Sequence, residues 1–137
     1  MPEKVVNGVA EALQKAGKEI TGSQVLLLGL AYKGDVDDVR ESPSFELWDL
    51  LEAREAEVSF YDPYVPIVPP TRDHAGRTGI PCIAWNRETI ATFDCVVIAT
   101  KHAAVDHGEL AEWASLIVDT RNAMADVEGS TATIMKA

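Results

Sequence analysis

Residues 25–30 read Val-Leu-Leu-Leu-Gly-Leu without a polar interruption, and no other feature limits the fold as much. A run this short does not make a helix of its own. It suits a strand covered on both faces, as at the centre of a parallel sheet. Cys95-Val96-Val97-Ile98-Ala99 has the same character, and Leu116-Ile117-Val118 is a shorter third case. Helical signals lie between and before these runs. Val5, Val6, Val9 and Leu13 recur at three- and four-residue intervals between Pro2 and Gly17, which predicts an amphipathic helix over 3–16. Ser42-Pro43-Ser44 supplies an N-cap and a first-turn proline for a helix reaching about residue 54, with Phe45, Trp48 and Leu51 on its apolar face. Val58 to Tyr61 reads as a strand that stops at Asp62-Pro63; Trp85 to Phe93 and 108–114 read as helices, and Thr131 to Met135 as a short edge strand. Five of the seven prolines fall between 62 and 81, so that stretch is loop. Strands alternating with helices predict a Rossmann-like three-layer α/β sandwich with a mainly parallel sheet.

The length of 137 residues fits a single domain, with a leading helix within 1–17 and an α/β core over 24–137. At 47% hydrophobic and 25% charged residues, the composition is globular. The longest apolar run, Val25 to Tyr32, is far short of the ~20 residues that cross a bilayer. No apolar leader opens the sequence, so a cytoplasmic location is expected. A net charge of -10 repels nucleic acid and anionic membranes and predicts neither as a partner. Any anionic ligand must then be held by a few local cations. Cys82 and Cys95 lack metal-type spacing and are expected as free thiols, and His102 and His107 have no cysteine pair to complete a zinc site. No metal site is expected.

In a doubly wound sheet the ligand lies beyond the C-terminal ends of the strands. Those ends are followed here by Ala31 to Arg40, Asp62-Pro63-Tyr64, Thr100-Lys101-His102 and Asp119-Thr120-Arg121-Asn122. Gly29 to Gly34 meets the dinucleotide fingerprint only as G-x-A-x-x-G, and the helix it should open is delayed to residue 43. Asp35 to Glu41 fails as a calcium loop, because Val39 and Arg40 stand where an oxygen ligand and a glycine belong. Lys33 and Arg40 follow a buried strand and are candidate ligand cations. Arg121 has two readings of equal weight: paired hydrogen bonds to a phosphate or sugar, or a strand-end ion pair with Asp119 or Asp62. His102 has no partner at recognisable spacing and reads as structural.

Three segments carry a resemblance: Gly29-Leu30-Ala31-Tyr32-Lys33-Gly34-Asp35-Val36-Asp37-Asp38-Val39-Arg40-Glu41-Ser42-Pro43, Tyr61-Asp62-Pro63-Tyr64-Val65 and Asp119-Thr120-Arg121-Asn122. Together they resemble the C-terminal domain of the UDP-glucose/GDP-mannose dehydrogenase family, and the likeness covers nearly the whole chain. Its complete enzymes oxidise the C6 hydroxyl of a nucleotide sugar to a carboxylate in two NAD-dependent steps. The resemblance implies a UDP-sugar-binding domain of such an oxidoreductase, serving polysaccharide biosynthesis in a parent enzyme that is a homodimer or larger. It assigns Tyr32, Lys33 and Arg121 to the substrate and Arg40 to the NAD of the neighbouring domain. NAD itself is expected to be bound mainly by an N-terminal domain that has no counterpart in these residues. Cys82 and Cys95 do not lie in the family's catalytic cysteine motif, so no residue here is assigned to catalysis and the domain alone is expected to be inactive. Tyr32 and Val36 resemble the variants in enzymes acting on UDP-N-acetylhexosamines more than those acting on UDP-glucose. Departures are Arg54-Glu55-Ala56 where the family often has glycine, the individual stretch from Ile67 to Thr78, and Lys101 between Thr100 and His102. The alternative, of another class, is a stand-alone α/β nucleotide-binding or regulatory module without dehydrogenase activity.

Overall fold

A computed structural model describes residues 2–31, 39, 42–70, 75–125, 127 and 132–136. The chain runs α1 (Pro2–Lys15), β1 (Gln24–Leu28), α2 (Pro43–Ala53), β2 (Glu57–Tyr61), a 3-10 turn (Ala75–Arg77), α3 (Arg87–Ala91), β3 (Cys95–Ile98), α4 (His107–Trp113), β4 (Leu116–Asp119) and β5 (Thr133–Lys136). Among the described residues the strands form one five-stranded sheet in the order β2-β1-β3-β4-β5. Every neighbouring pair is parallel. This is the Rossmann-like α/β sandwich that the sequence predicts, and the sheet is parallel throughout.

The unbroken apolar character of β1 follows from its two covered faces. Val25 and Leu27 pack with Val9 and Leu13 of α1 and Phe45, Trp48 and Leu51 of α2. Leu26 and Leu28 point the other way, into a second core with Ile90 of α3 and Leu110 and Ala111 of α4. All four strand residues are at most 1% exposed, so each contributes about 1.5–3 kcal/mol of apolar burial. Polar alternation is absent because neither face meets water.

α2 begins as its sequence predicts. The Ser42 hydroxyl accepts from the Ser44 amide and Pro43 takes the first helical position. The helix ends in a Schellman motif, with Glu55 N–H donating to Glu52 O (2.8 Å) and Ala56 N–H to Leu51 O (3.1 Å). That motif requires a left-handed residue, and Glu55 provides it at φ 65°. Glycine is the residue that adopts this conformation without strain, so Glu55 carries a backbone cost here.

α3 is shorter than expected. Asn86 caps it by accepting from Thr89 N–H at 2.8 Å, which leaves Trp85 outside the helix. The freed indole lies between the tilted rings of Tyr61 (4.8 Å) and Trp113 (5.9 Å) and donates to Glu109 (3.0 Å). The proline-rich loop covers the free edge of β2, where Ile83 N–H donates to Phe60 O at 2.9 Å. Arg77 ties that loop to α2 through Asp49 and Glu52 and lies 4.4 Å over the Trp48 ring. Among the described residues no helix is long and apolar enough to cross a membrane.

Candidate functional site

The strand order reverses between β1 and β3, and in sheets of this kind ligands bind beyond the strand ends at that reversal. The chain leaves β1 through Gly29, Leu30 and Ala31, and each is held by side chains from other elements. Ser44 Oγ donates to Gly29 O (3.1 Å), Ser42 Oγ to Leu30 O (2.7 Å) and Thr100 Oγ1 to Ala31 O (2.7 Å). On the donor side, Leu30 N–H (2.8 Å) and Ala31 N–H (3.0 Å) both give to Asp62 Oδ2. The same oxygen is 2.8 Å from His102 Nε2, and Asp62 Oδ1 accepts from Tyr64 N–H at 2.8 Å. A carboxylate oxygen already accepting two peptide N–H groups can only accept, so the imidazole Nε2–H donates. Both side chains of the pair are 0% exposed.

His102, whose sequence position reads as structural, has a buried carboxylate partner that spacing did not reveal. The two are 40 residues apart, on the strand exits that flank β1. Only the strand order brings them together. Tyr64 closes the pair from outside, its ring 5.0 Å from the imidazole and the residue 40% exposed.

A second ordered turn follows β4. Asp119 Oδ1 accepts from Arg121 N–H (3.0 Å) and Ala123 N–H (3.0 Å), and Oδ2 from Met124 N–H (2.9 Å). With Asn122 at φ 56°, this is a tight reversal built on one buried aspartate. It projects Arg121 toward the β3 exit, where Nε donates to Ala99 O at 3.0 Å. Neither strand-end ion pair is formed: Asp119 and Asp62 spend their oxygens on the partners named above. Among the described residues no acid pairs with Arg121, which is exposed. It is a cation oriented by the Ala99 carbonyl and, among the described residues, without a neutralising partner. Of the other predicted site residues, Tyr32, Lys33 and Arg40 lie outside the described residues.

The β1 exit does not fit a dinucleotide pyrophosphate. Gly29 has φ +97°, yet the space a side chain would take is filled: an added Cβ would lie 2.5 Å from Thr100 Cβ and 2.9 Å from Thr100 N and O. The next two peptide N–H groups serve Asp62, and α2 opens only at Pro43. In a dinucleotide fold that glycine and those N–H groups face the phosphates. Near the β3 exit, burial and then the Lys101 charge hold the His107 imidazole below its usual range. Among the described residues no group of three or more His, Cys, Asp or Glu is placed to hold a metal ion.

Comparison with known proteins places this geometry. Residues 26–126 match the family model described as the UDP-glucose/GDP-mannose dehydrogenase family, UDP binding domain. A UDP-N-acetyl-D-mannosamine dehydrogenase of Methanococcus maripaludis is 36% identical over 102 residues, covering 74% of this chain and 21% of that protein. UDP-glucose 6-dehydrogenase YwqF of Bacillus subtilis is 33% identical over 119 residues, covering 83% of this chain and 26% of that protein. The solved UDP-D-ManNAc dehydrogenase of Pyrococcus horikoshii superposes with a TM-score of 0.75 at 27% identity, over 98% of this chain and 30% of that one. The chain thus spans between a fifth and a third of the length of these relatives. With the match running from β1 through the Asp119 turn, the chain belongs to the UDP-glucose/GDP-mannose dehydrogenase family and carries its UDP-binding domain.

Proposed function

We propose that this chain is the UDP-sugar-binding part of an NAD-dependent UDP-sugar 6-dehydrogenase, a cytoplasmic oxidoreductase of polysaccharide biosynthesis that oxidises the C6 hydroxyl to a carboxylate. The observation that carries the reading is Arg121, a guanidinium with no acid partner among the described residues, held by Ala99 O at the β3 exit of a chain with net charge -10. A diphosphate needs a local cation there, because the distant charges of the chain are screened beyond about 8–10 Å. Tyr32 and Lys33 follow directly from the fastened residues Leu30 and Ala31 and complete the substrate set. Arg40 serves the NAD of a neighbouring domain in the parent enzyme, which is a homodimer or larger.

Each hydrogen bond to a charged group contributes about 1.5–3 kcal/mol, so removing Lys33 or Arg121 weakens UDP binding roughly tenfold to a hundredfold. Arg40→Ala leaves UDP binding unchanged and raises the KM for NAD in the parent enzyme. NMR titration of the chain with UDP, using K33A, R121A and R40A, tests the assignment. Equal effects from all three, or none from any, refute it. Mixed with NAD and a UDP-sugar, the chain by itself forms no NADH.

The preferred sugar is a UDP-N-acetylhexosamine. The Tyr32 and Val36 motif variants support this, as do the names of the Methanococcus and Pyrococcus relatives; the Bacillus relative, at 33% identity, weighs toward UDP-glucose. A kcat/KM of the parent enzyme higher for UDP-glucose than for UDP-N-acetylglucosamine and UDP-N-acetylmannosamine rejects it.

A further inference from the structure

Asp62 and His102 form a buried pair whose place in the fold exceeds what sheet packing needs. Asp62 is 2% exposed and His102 0%, and the pair joins three strand exits: Leu30 and Ala31 after β1, Asp62 and Tyr64 after β2, and His102 after β3. The apolar cores on both faces of the sheet are complete without it. The pair fastens the N–H groups of Leu30 and Ala31, the residues that precede Tyr32 and Lys33 in the sequence. Both peptide N–H groups of that exit end on the one oxygen that the imidazole also holds. If the imidazole donor is lost, Asp62 keeps three backbone partners, and Oδ2 loses the one side-chain donor that ties the β1 exit to the β3 exit.

We infer that Asp62 and His102 are positioning residues for ligand binding, which set the affinity of the domain for a nucleoside diphosphate by fixing the β1 exit and do not themselves touch the ligand. This rests on the UDP-binding reading above. The imidazole is wholly enclosed beneath Tyr64 and reaches the β1 exit through the Asp62 carboxylate. The effect is therefore specific to a donor at the Nε2 position. Glutamine places an amide N–H at that distance, asparagine falls short of it, and leucine fills the volume without a donor.

The test uses the whole 137-residue chain as His102→Gln, His102→Asn, His102→Leu and Asp62→Asn, each held well below its own melting temperature. Two quantities are read on the same samples: hydrogen exchange of the Leu30 and Ala31 amides without ligand, and the Kd for UDP. H102Q is expected within about threefold of the unaltered chain in Kd, with both amides protected. H102N, H102L and D62N are expected to lose protection at those amides and to bind UDP roughly tenfold or more weakly, the scale of one charge-assisted hydrogen bond. The inference is overturned if folded H102N or H102L binds UDP like the unaltered chain, if melting temperature alone changes, or if H102Q is as weak as H102L. If H102L does not fold, H102N and D62N decide. If the unaltered chain does not bind UDP, the functional reading fails separately, and equal protection of Leu30 and Ala31 in H102Q and H102N then overturns the positioning role.

Discussion

Gly29→Ala probes the contact that separates this strand exit from a phosphate-binding turn. Two costs add at this position. The backbone sits at φ +97°, a conformation that costs a side-chain-bearing residue about 1–2 kcal/mol. The new methyl group also meets Thr100 Cβ at 2.5 Å and Thr100 N and O at 2.9 Å. Two of these three atoms are backbone and cannot rotate away, so forced repacking adds about 1–3 kcal/mol. The sum is about 2–5 kcal/mol. For a domain of 137 residues, 1 kcal/mol lowers Tm by about 3–4 °C, so the expected fall is roughly 6–20 °C.

Gly17→Ala is the control, because Gly17 has φ +80° with nothing within 4 Å of the added Cβ. It carries only the backbone cost, about 1–2 kcal/mol or roughly 3–8 °C. Thermal unfolding followed by circular dichroism measures both. G29A falling no further than G17A refutes the close packing of Gly29 on Thr100. The displaced residue also reports locally: Thr100 Oγ1 donates to Ala31 O and Ser44 Oγ to Gly29 O, so G29A shifts the NMR resonances of Ala31 and Ser44, and G17A leaves them in place.

Glu55→Gly relieves the left-handed strain at the end of α2 and raises stability by about 1 kcal/mol in urea unfolding, whereas a destabilised variant contradicts the Schellman reading. The Cys95 thiol, pushed up to about 12 by burial, stays unreactive to a disulfide reagent near pH 8 until the chain unfolds, while half-buried Cys82 reacts first; two fast thiols in the native state refute this. Lys18 and then the Gln24 amide hold the Asp94 carboxyl below its ordinary value of 3.8, so its contribution is present above that value and is lost as pH falls through the lower folded one. D94N is accordingly less stable than the unaltered chain at neutral pH and converges with it in acid, and a gap that is independent of pH refutes the linkage. Arg121→Lys keeps the charge but loses the planar fork that bonds Ala99 O while facing a ligand, so it recovers less than half of the UDP affinity lost in R121A, expressed as free energy. Full recovery makes charge alone sufficient.

The parts legible in the sequence are those that a single segment determines. Val25 to Leu28, Cys95 to Ile98 and Leu116 to Val118 declare themselves because burial on both faces removes every polar residue from them. Ser42-Pro43 declares the start of α2 because an N-cap and a first-turn proline act locally. Trp85 reads as helical in the sequence because apolar side chains run on both sides of the Asn86 cap, and its contacts in the fold, Tyr61 and Trp113, are distant in sequence. The Asp62–His102 pair was illegible for a related reason. Each residue is visible at its own strand end, but their meeting requires β2 and β3 to flank β1, which no local pattern encodes. Arg121 was half legible: its place after β4 marked it, and its release from Asp119 is decided by a turn in which that carboxylate satisfies three backbone N–H groups.

These features converge on one property of the sheet's C-terminal edge. A dinucleotide-binding turn offers phosphate the open space of its glycine and the N–H groups at a helix start. Here Thr100 fills the glycine space and the Asp62 carboxylate, an anion already built into the fold, takes the Leu30 and Ala31 N–H groups. A second anion cannot use donors that are spent. On the UDP-binding reading proposed above, phosphate recognition at this edge falls to side chains, among them Arg121 on the turn after β4. Side chains can be exchanged without rebuilding a turn, whereas a backbone cradle cannot. A shell of this design withholds the backbone donors that its strand order would offer a dinucleotide, and Asp62, held by His102, is the group that takes them.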